Sequence, residues 1–89
     1  MERPDLYVVA RFLDVLYRNG SAMKKTNIQM LLGVNYPRFT EYLEWMLQHQ
    51  LVLETDEDKV DRIALSPKGI EAYHRFVDWI KETLESAKI

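Results

Sequence analysis

The chain has 89 residues, with 47% apolar and 29% charged content and a formal net charge of −2. A chain of this length forms one domain, here 1–89, because a second core would need far more residues, and its apolar content excludes a disordered protein. It has no cysteine, which excludes disulfides, thiolate catalysis and cysteine-based zinc sites. No apolar run approaches the roughly 20 residues that span a bilayer, so we expect a soluble, cytoplasmic protein with no membrane partner.

The first half of the sequence predicts three helices. Apolar residues follow helical spacing over 5–18 and again over 24–32, where Gly33 ends the second helix. A third helix is predicted over 36–49, with Asn35 as its N-cap and a proline in its first turn.

The helical spacing also predicts which side chains face the core. On the second helix the predicted inner residues are Ile28, Leu31 and Leu32. On the third helix the predicted inner stripe is Phe39, Leu43, Met46 and Leu47, and the opposite side holds Arg38, Glu41, Trp45 and Gln48.

The sequence period changes after the third helix. Two short β-prone runs, 51–54 and 62–65, flank an acidic segment that is predicted to be a solvated turn at 56–58. Together they predict a hairpin over 51–65. Ser66 is a good N-cap, so a final helix is predicted over 67–87.

The final helix carries an apolar stripe with heptad spacing, which is typical of helices that pair with another helix. We predict a dimer interface there, formed by Ile70, Tyr73, Phe76, Val77, Trp79, Ile80 and Leu84. His74 lies beside this stripe and is predicted to be half-buried. The aromatic residues of the stripe, with Tyr7 and Phe12 of the first helix, are alternatively the lining of a small-molecule pocket, although interface packing is the commoner use of such residues.

The order helix, helix, helix, strand, strand, helix predicts a mainly helical winged helix-turn-helix fold. Over about residues 20–75 the sequence resembles a family of short archaeal winged-helix proteins, which comprises predicted transcriptional regulators and chromatin-associated members. The matching segments are Lys24-Lys25-Thr26-Asn27-Ile28, Gly33-Val34-Asn35-Tyr36, Phe39-Thr40-Glu41-Tyr42-Leu43, Leu51-Val52 and Leu65-Ser66-Pro67-Lys68-Gly69. The resemblance implies a last helix that pairs with its copy and a third helix that faces DNA.

The sequence departs from the family in three respects. Gln50 stands where the family usually has glycine, so a left-handed residue there costs roughly 1 kcal/mol or the chain leaves the helix by another route. The hairpin over 51–65 is the wing of this fold, and it is acidic where a wing that binds DNA is normally basic. The last helix is shorter than in family members with a long coiled coil. Seven acidic residues and Lys59 as the only cation lie in 39–61, whereas six basic and two acidic residues lie in 3–38.

Eight residues are candidates for contact with double-stranded DNA: Lys24, Lys25, Thr26, Tyr36, Arg38, Glu41, Lys59 and Arg62. Arg38 and Tyr36 stand at the start of the third helix, where helix-turn-helix proteins reach base edges and phosphates. The cations at the start of the second helix favour a phosphate. Glu41 repels phosphate, although a glutamate is able to accept a hydrogen bond from cytosine N4. Each residue also has the ordinary role of a solvated surface group.

Neither histidine, His49 nor His74, has a metal-binding partner at a suitable spacing, so we predict no metal site. No nucleophile, phosphate-loop or cofactor motif is present, so we predict no catalytic residues, no cofactor and no enzyme activity. The predicted function is a homodimeric DNA-binding protein, sequence-dependent or architectural, that regulates transcription. The alternative is a winged-helix interaction module whose acidic wing and third helix bind a basic protein partner.

Overall fold

The computed structural model describes residues 3–57 and 59–87, which contain four helices and three strands. In chain order these are α1 Leu6–Asn19, β1 Met23–Lys24, α2 Lys25–Leu32, α3 Tyr36–Gln48, β2 Val52–Glu57, β3 Val60–Leu65 and α4 Pro67–Ala87. This order confirms the predicted winged helix-turn-helix class. No helix in the described ranges is both long enough and apolar enough to cross a membrane.

The three strands form one antiparallel sheet in the order β1-β3-β2. β1 was not predicted, because two residues are too few to show a strand period. It pairs Met23 with Ile63 of β3. The predicted acidic turn is wrong for Asp56 and Glu57, which continue β2 until Glu57 lies opposite Val60. The exposed carboxylate of Asp56 does not prevent the backbone from pairing in the hairpin, and the third residue of the predicted turn lies outside the described residues.

The core lies where α1, α2 and α3 meet one face of the sheet. Its fully buried side chains include Phe12 of α1 and Phe39 of α3, whose rings stack with centroids 5.9 Å apart. The buried residues are Val8, Val9, Phe12, Leu13, Leu16, Met23, Ile28, Leu32, Phe39, Tyr42, Leu43, Met46, Leu51, Val52 and Ile63. Phe12 therefore belongs to the core and does not line a surface pocket.

Two predicted faces need correction. Leu31 is 56% exposed and is not an inner residue, because the two-turn helix α2 buries only Ile28 and Leu32. The carbonyl of Leu31 instead accepts a hydrogen bond of 2.7 Å from Arg11 of α1, which helps to close the C-terminal end of α2. On α3, Trp45 is partly buried against the core and does not lie on the solvent side.

The predicted caps are present. The side chain of Asn35 accepts a hydrogen bond of 2.9 Å from the backbone N–H of Arg38, so α3 begins where its first residues predict. Ser66 Oγ accepts from the backbone N–H of Gly69 at 2.9 Å and donates to the backbone carbonyl of Gln50. One hydroxyl therefore caps α4 and ties it to the end of α3.

Gln50 adopts the left-handed conformation, with φ of 60°, which is the first of the two alternatives that the sequence left open at this position. Replacing Gln50 by glycine is expected to raise the free energy of unfolding by several tenths to about 1 kcal/mol. The relief of left-handed strain, about 1–2 kcal/mol, exceeds the added chain entropy of about 0.4–1 kcal/mol. Urea melts measure the change. The control Gln48→Gly, in the last helical residue, is expected to lose stability, and a loss at position 50 as well would contradict the prediction.

A polar and aromatic contact attaches α4 to α1. The Tyr73 hydroxyl donates to Asp14 at 2.8 Å, Arg18 Nε donates to the same carboxylate oxygen at 2.9 Å, and the Tyr73 ring stacks on Tyr17 at 4.3 Å. Burial raises the pKa of Asp14, but the hydrogen bonds from Arg18 and Tyr73 outweigh it and hold the pKa below its usual value. His74 is exposed, edge-on to Tyr17, and the prediction that it is half-buried is wrong.

Candidate nucleic-acid interface

The N-terminal end of α3 presents two of the predicted contact residues to solvent. The buried stripe of α3 fixes the rotation of the helix, and Tyr36 is consequently 59% exposed and Arg38 is also exposed. The guanidinium of Arg38 lies 5.6 Å from the centroid of the Tyr42 ring, and this ring is itself buried. The contact orients Arg38 beside the helix start without using any of its hydrogen-bond donors.

The first turn of α2 presents a second group of predicted residues. Lys24 is the N-cap residue of α2 and supplies no side-chain hydrogen bond to the free amides of the first turn. Lys24 and Thr26 are exposed, whereas Lys25 is half-buried with its ammonium 3.9 Å from a carboxylate oxygen of Glu54. Free amides, two lysines and a hydroxyl make this helix end suited to an anion such as phosphate.

The wing combines few cations with several carboxylates. Arg62 lies in β3 directly opposite Lys24 of β1, so the structure brings these two predicted residues together. Lys59 is exposed near the end of the hairpin, with φ of 63°. Three exposed carboxylates belong to the same hairpin, those of Glu54, Asp56 and Asp61. The wing therefore opposes a phosphate backbone more than it attracts one.

A groove of about 680 Å³ adjoins α3 and contains an arginine that the sequence analysis missed. Arg3 lines this groove together with Arg38 and the predicted residue Glu41. The backbone N–H of Asp5 donates to the Tyr42 hydroxyl at 2.8 Å, which fastens the segment before α1 to α3. The excess of basic residues in 3–38 was the only sequence signal for Arg3, and no motif placed it next to α3.

The predicted dimer residues divide into two sets. Tyr73, Phe76 and Val77 are half-buried, and the first two of them pack against the core of their own protomer. The exposed set is Ile70, Trp79, Ile80 and Leu84, with exposures of 40%, 64%, 43% and 59%. Trp79 and Phe76 also line an apolar groove of about 630 Å³ between α4 and the start of α1.

The described part of the chain holds no cluster of three histidine, aspartate or glutamate side chains able to bind a metal ion. The three-helix unit, the hairpin and the capped α4 define a winged helix-turn-helix protein. The comparisons with solved structures agree with this class.

The MepR A103V mutant from S. aureus superimposes with a TM-score of 0.80 at 18% identity, over 88% of this chain and 59% of that one. F93 from STIV, a winged-helix DNA-binding protein, superimposes with a TM-score of 0.79 at 14% sequence identity, and the match covers 89% of this chain and 92% of F93. Sso10a-2, a DNA-binding protein from Sulfolobus solfataricus, superimposes with a TM-score of 0.68 at 22% sequence identity, and the match covers 90% of this chain and 86% of Sso10a-2. The chain thus spans about three fifths of the length of MepR. No protein-family model and no curated protein matches the sequence.

Proposed function

We propose that this chain is a homodimeric protein that binds double-stranded DNA and regulates transcription by occupying it, without catalysis and without a cofactor. The observation that carries the proposal is the exposed N-terminal end of α3, where Tyr36 and Arg38 project from a helix whose other face is buried. Two neighbours of similar length, F93 and Sso10a-2, are DNA-binding proteins, and MepR is a transcription regulator.

In this proposal α3 enters the major groove of the duplex. Arg38 reads a base edge or a phosphate, and the Tyr36 hydroxyl donates to a phosphate. The first turn of α2 binds the sugar-phosphate backbone through Lys24, Lys25 and Thr26, and Arg62 adds a cation beside Lys24. Glu41 faces the same groove as Arg38 and favours sites where it accepts from a cytosine amine. Lys59 supplies the outermost phosphate contact.

The homodimer is proposed to form through α4. The side chains of Trp79, Ile80 and Leu84 are 64%, 43% and 59% exposed in a single protomer. Full burial of an exposed large apolar side chain is worth about 1.5–3 kcal/mol, so covering the exposed part of each contributes roughly half of that. Two copies also double the number of phosphate contacts. This matters for a chain with a formal net charge of −2, because affinity for DNA depends mainly on neutralised phosphates.

Fluorescence anisotropy with random and genomic duplexes over a salt series tests the proposal. The logarithm of affinity is expected to fall with the logarithm of salt concentration, with a slope of roughly −0.9 for each phosphate neutralised. Lys25→Ala is expected to weaken binding to all sequences alike and to reduce the slope. Arg38→Ala is expected to weaken the preferred sequences most, by about 1–3 kcal/mol if it reads a base.

Arg75→Ala is the matched control, because Arg75 is an exposed arginine on α4 that pairs with Glu71 and is not one of the predicted DNA-contact residues. Its affinity for DNA is expected to stay at the wild-type value. Absence of binding to any duplex at about 50 mM salt and micromolar protein would overturn the proposal, since electrostatic binding is strongest at low salt.

The exposed carboxylates of Glu54, Asp56 and Asp61 favour a second candidate, a winged-helix module that binds a basic protein partner through its acidic wing. Chromatography on heparin or DNA-cellulose at low salt separates the two candidates. Retention supports DNA binding, whereas flow-through supports the acidic interaction surface.

A further inference from the structure

The ion pair between Lys25 and Glu54 joins two elements that are far apart in sequence. Glu54 lies in β2, opposite Ile63 of β3. Lys25 is the first residue of α2 and directly follows β1, which pairs with the other edge of β3. The Lys25 ammonium and the Glu54 carboxylate are 3.9 Å apart. Each of the other ion pairs in the described part of the chain joins residues four apart on one helix.

We propose that Glu54 competes with DNA phosphate for Lys25 and thereby lowers the affinity of the protein for all DNA sequences. The inference rests on the proposed function. A phosphate that approaches the first turn of α2 meets an ammonium that already has a carboxylate partner. Either the Glu54 side chain leaves, or two anions share one lysine at close range, and both outcomes weaken the contact.

The location of the pair makes the competition specific to this anion site. The backbone amides at the start of α2 have no side-chain cap, so Glu54 is the carboxylate of the described chain that pairs with this helix end. Its carboxylate is about half exposed, and no burial prevents it from moving to solvent when DNA binds. Glu54 is therefore a positioning residue, which acts on DNA through Lys25.

The competition has a signature in the salt dependence. When Lys25 moves from Glu54 to a phosphate, DNA releases a condensed cation, but salt from solution then screens the freed carboxylate in part. The net number of released ions is therefore smaller than the number of phosphates contacted. Removing the charge of Glu54 is expected to tighten binding and to steepen the salt slope by less than the roughly 0.9 that one neutralised phosphate contributes.

The test compares Glu54→Gln with the wild-type protein by fluorescence anisotropy on a random duplex across a salt series. Glu54→Gln is expected to bind roughly two- to five-fold more tightly at low salt, the range expected when an exposed ion pair is removed as a competitor. The matched control is Asp56→Asn, which removes the same charge two residues further along β2 from a side chain with no ion pair within 3–57 and 59–87. It is expected to give less than half of that gain and to leave the slope unchanged.

A double-mutant cycle separates direct competition from general repulsion. In the Lys25→Ala background, Glu54→Gln is expected to gain no more affinity than Asp56→Asn does in the wild type, which is the part due to general repulsion, and to leave the slope unchanged. An equal gain in that background, an equal gain from Asp56→Asn, or no gain from Glu54→Gln would each overturn the inference while DNA binding itself stands. If neither wild type nor Glu54→Gln binds any duplex, the proposed function fails and the inference fails with it. Circular dichroism melts verify that every variant is folded.

Discussion

Replacing Gly69 by alanine is expected to lower the free energy of unfolding by about 3 kcal/mol, the upper end of the usual cost of overpacking a core. The Cβ of an alanine would lie 2.0 Å from the carbonyl oxygen of Leu51 and 3.2 Å from Cδ2 of Leu65. The nearer atom belongs to the backbone, and the same oxygen accepts a hydrogen bond of 3.1 Å from the N–H of Ser66. The start of α4 must therefore move away from the end of α3, which also strains the Ser66 cap.

Urea unfolding of Gly69→Ala against wild type measures this loss. Lys68→Ala is the matched control, because Lys68 is the exposed residue directly before Gly69 in the first turn of α4, and it is expected to change stability by less than about 0.5 kcal/mol. Gly33→Ala serves as a second comparison, because residue 33 has φ of 69° and an added Cβ there meets no atom within 4 Å. The loss of stability in that variant therefore comes from backbone strain alone, whereas the loss in Gly69→Ala comes from the steric clash. If Gly69→Ala unfolded at the wild-type urea concentration, the close approach of α4 to Leu51 would be contradicted.

Local chemistry explains which parts of the fold the sequence predicts. Asn35 and Ser66 hold their capping hydrogen bonds within three residues of their own position, so their sequence context is sufficient to place the starts of α3 and α4. The closure of α2 by Arg11 and the exclusion of a side chain at Gly69 involve residues about 20 positions away. No local pattern carries that information, and β1 is a pairing partner of β3 without any period of its own.

The candidate site divides in the same way. Tyr36 and Arg38 were predictable, because the first turn of a helix after an N-cap is exposed once the buried stripe is known. The pairing of Lys25 with Glu54 depends on the strand order β1-β3-β2. Because β1 and β2 belong to one sheet, the start of α2, which follows β1, comes close to β2. The sequence predicts an acidic wing and a basic helix start, but only the sheet topology shows that the two charges meet.

Heptad spacing on α4 likewise overstates the free surface. Tyr73 satisfies the spacing, yet its hydroxyl and ring are used by Asp14 and Tyr17 of the same protomer. Of the exposed apolar residues on α4, Ile70 lies in the first half of the helix, and Trp79, Ile80 and Leu84 lie in the second half. The periodicity shows only that one face of α4 is apolar. It does not show whether α1 of the same chain or a second copy of the chain covers that face.

The double variant Ile80→Asp with Leu84→Asp is expected to be a folded monomer at concentrations where the wild type is expected to form the proposed dimer. In a dimer formed through the apolar face of α4, each aspartate would be buried as a charge without an ion-pair partner, which costs several kcal/mol for each protomer. Sedimentation equilibrium at tens of micromolar protein measures the association. The control Asp78→Lys with Glu82→Lys changes charge on the opposite side of α4 and is expected to remain dimeric. A wild-type monomer in this experiment would contradict the proposed homodimer.

The fold of the monomer is expected to survive, because both substituted residues are about half exposed and lie beyond the Tyr73 contact that fixes α4 to α1. A circular dichroism melt close to that of wild type verifies this. Affinity for a duplex that holds two half-sites is then expected to fall by roughly 10²- to 10⁴-fold, since the second α3 no longer binds as part of one molecule. Affinity for a single half-site is expected to change little, because Tyr36, Arg38 and the start of α2 remain intact. A loss of equal size on both duplexes would mean that α4 itself contacts DNA, and the apolar seam would then not be the reason for the two-copy arrangement.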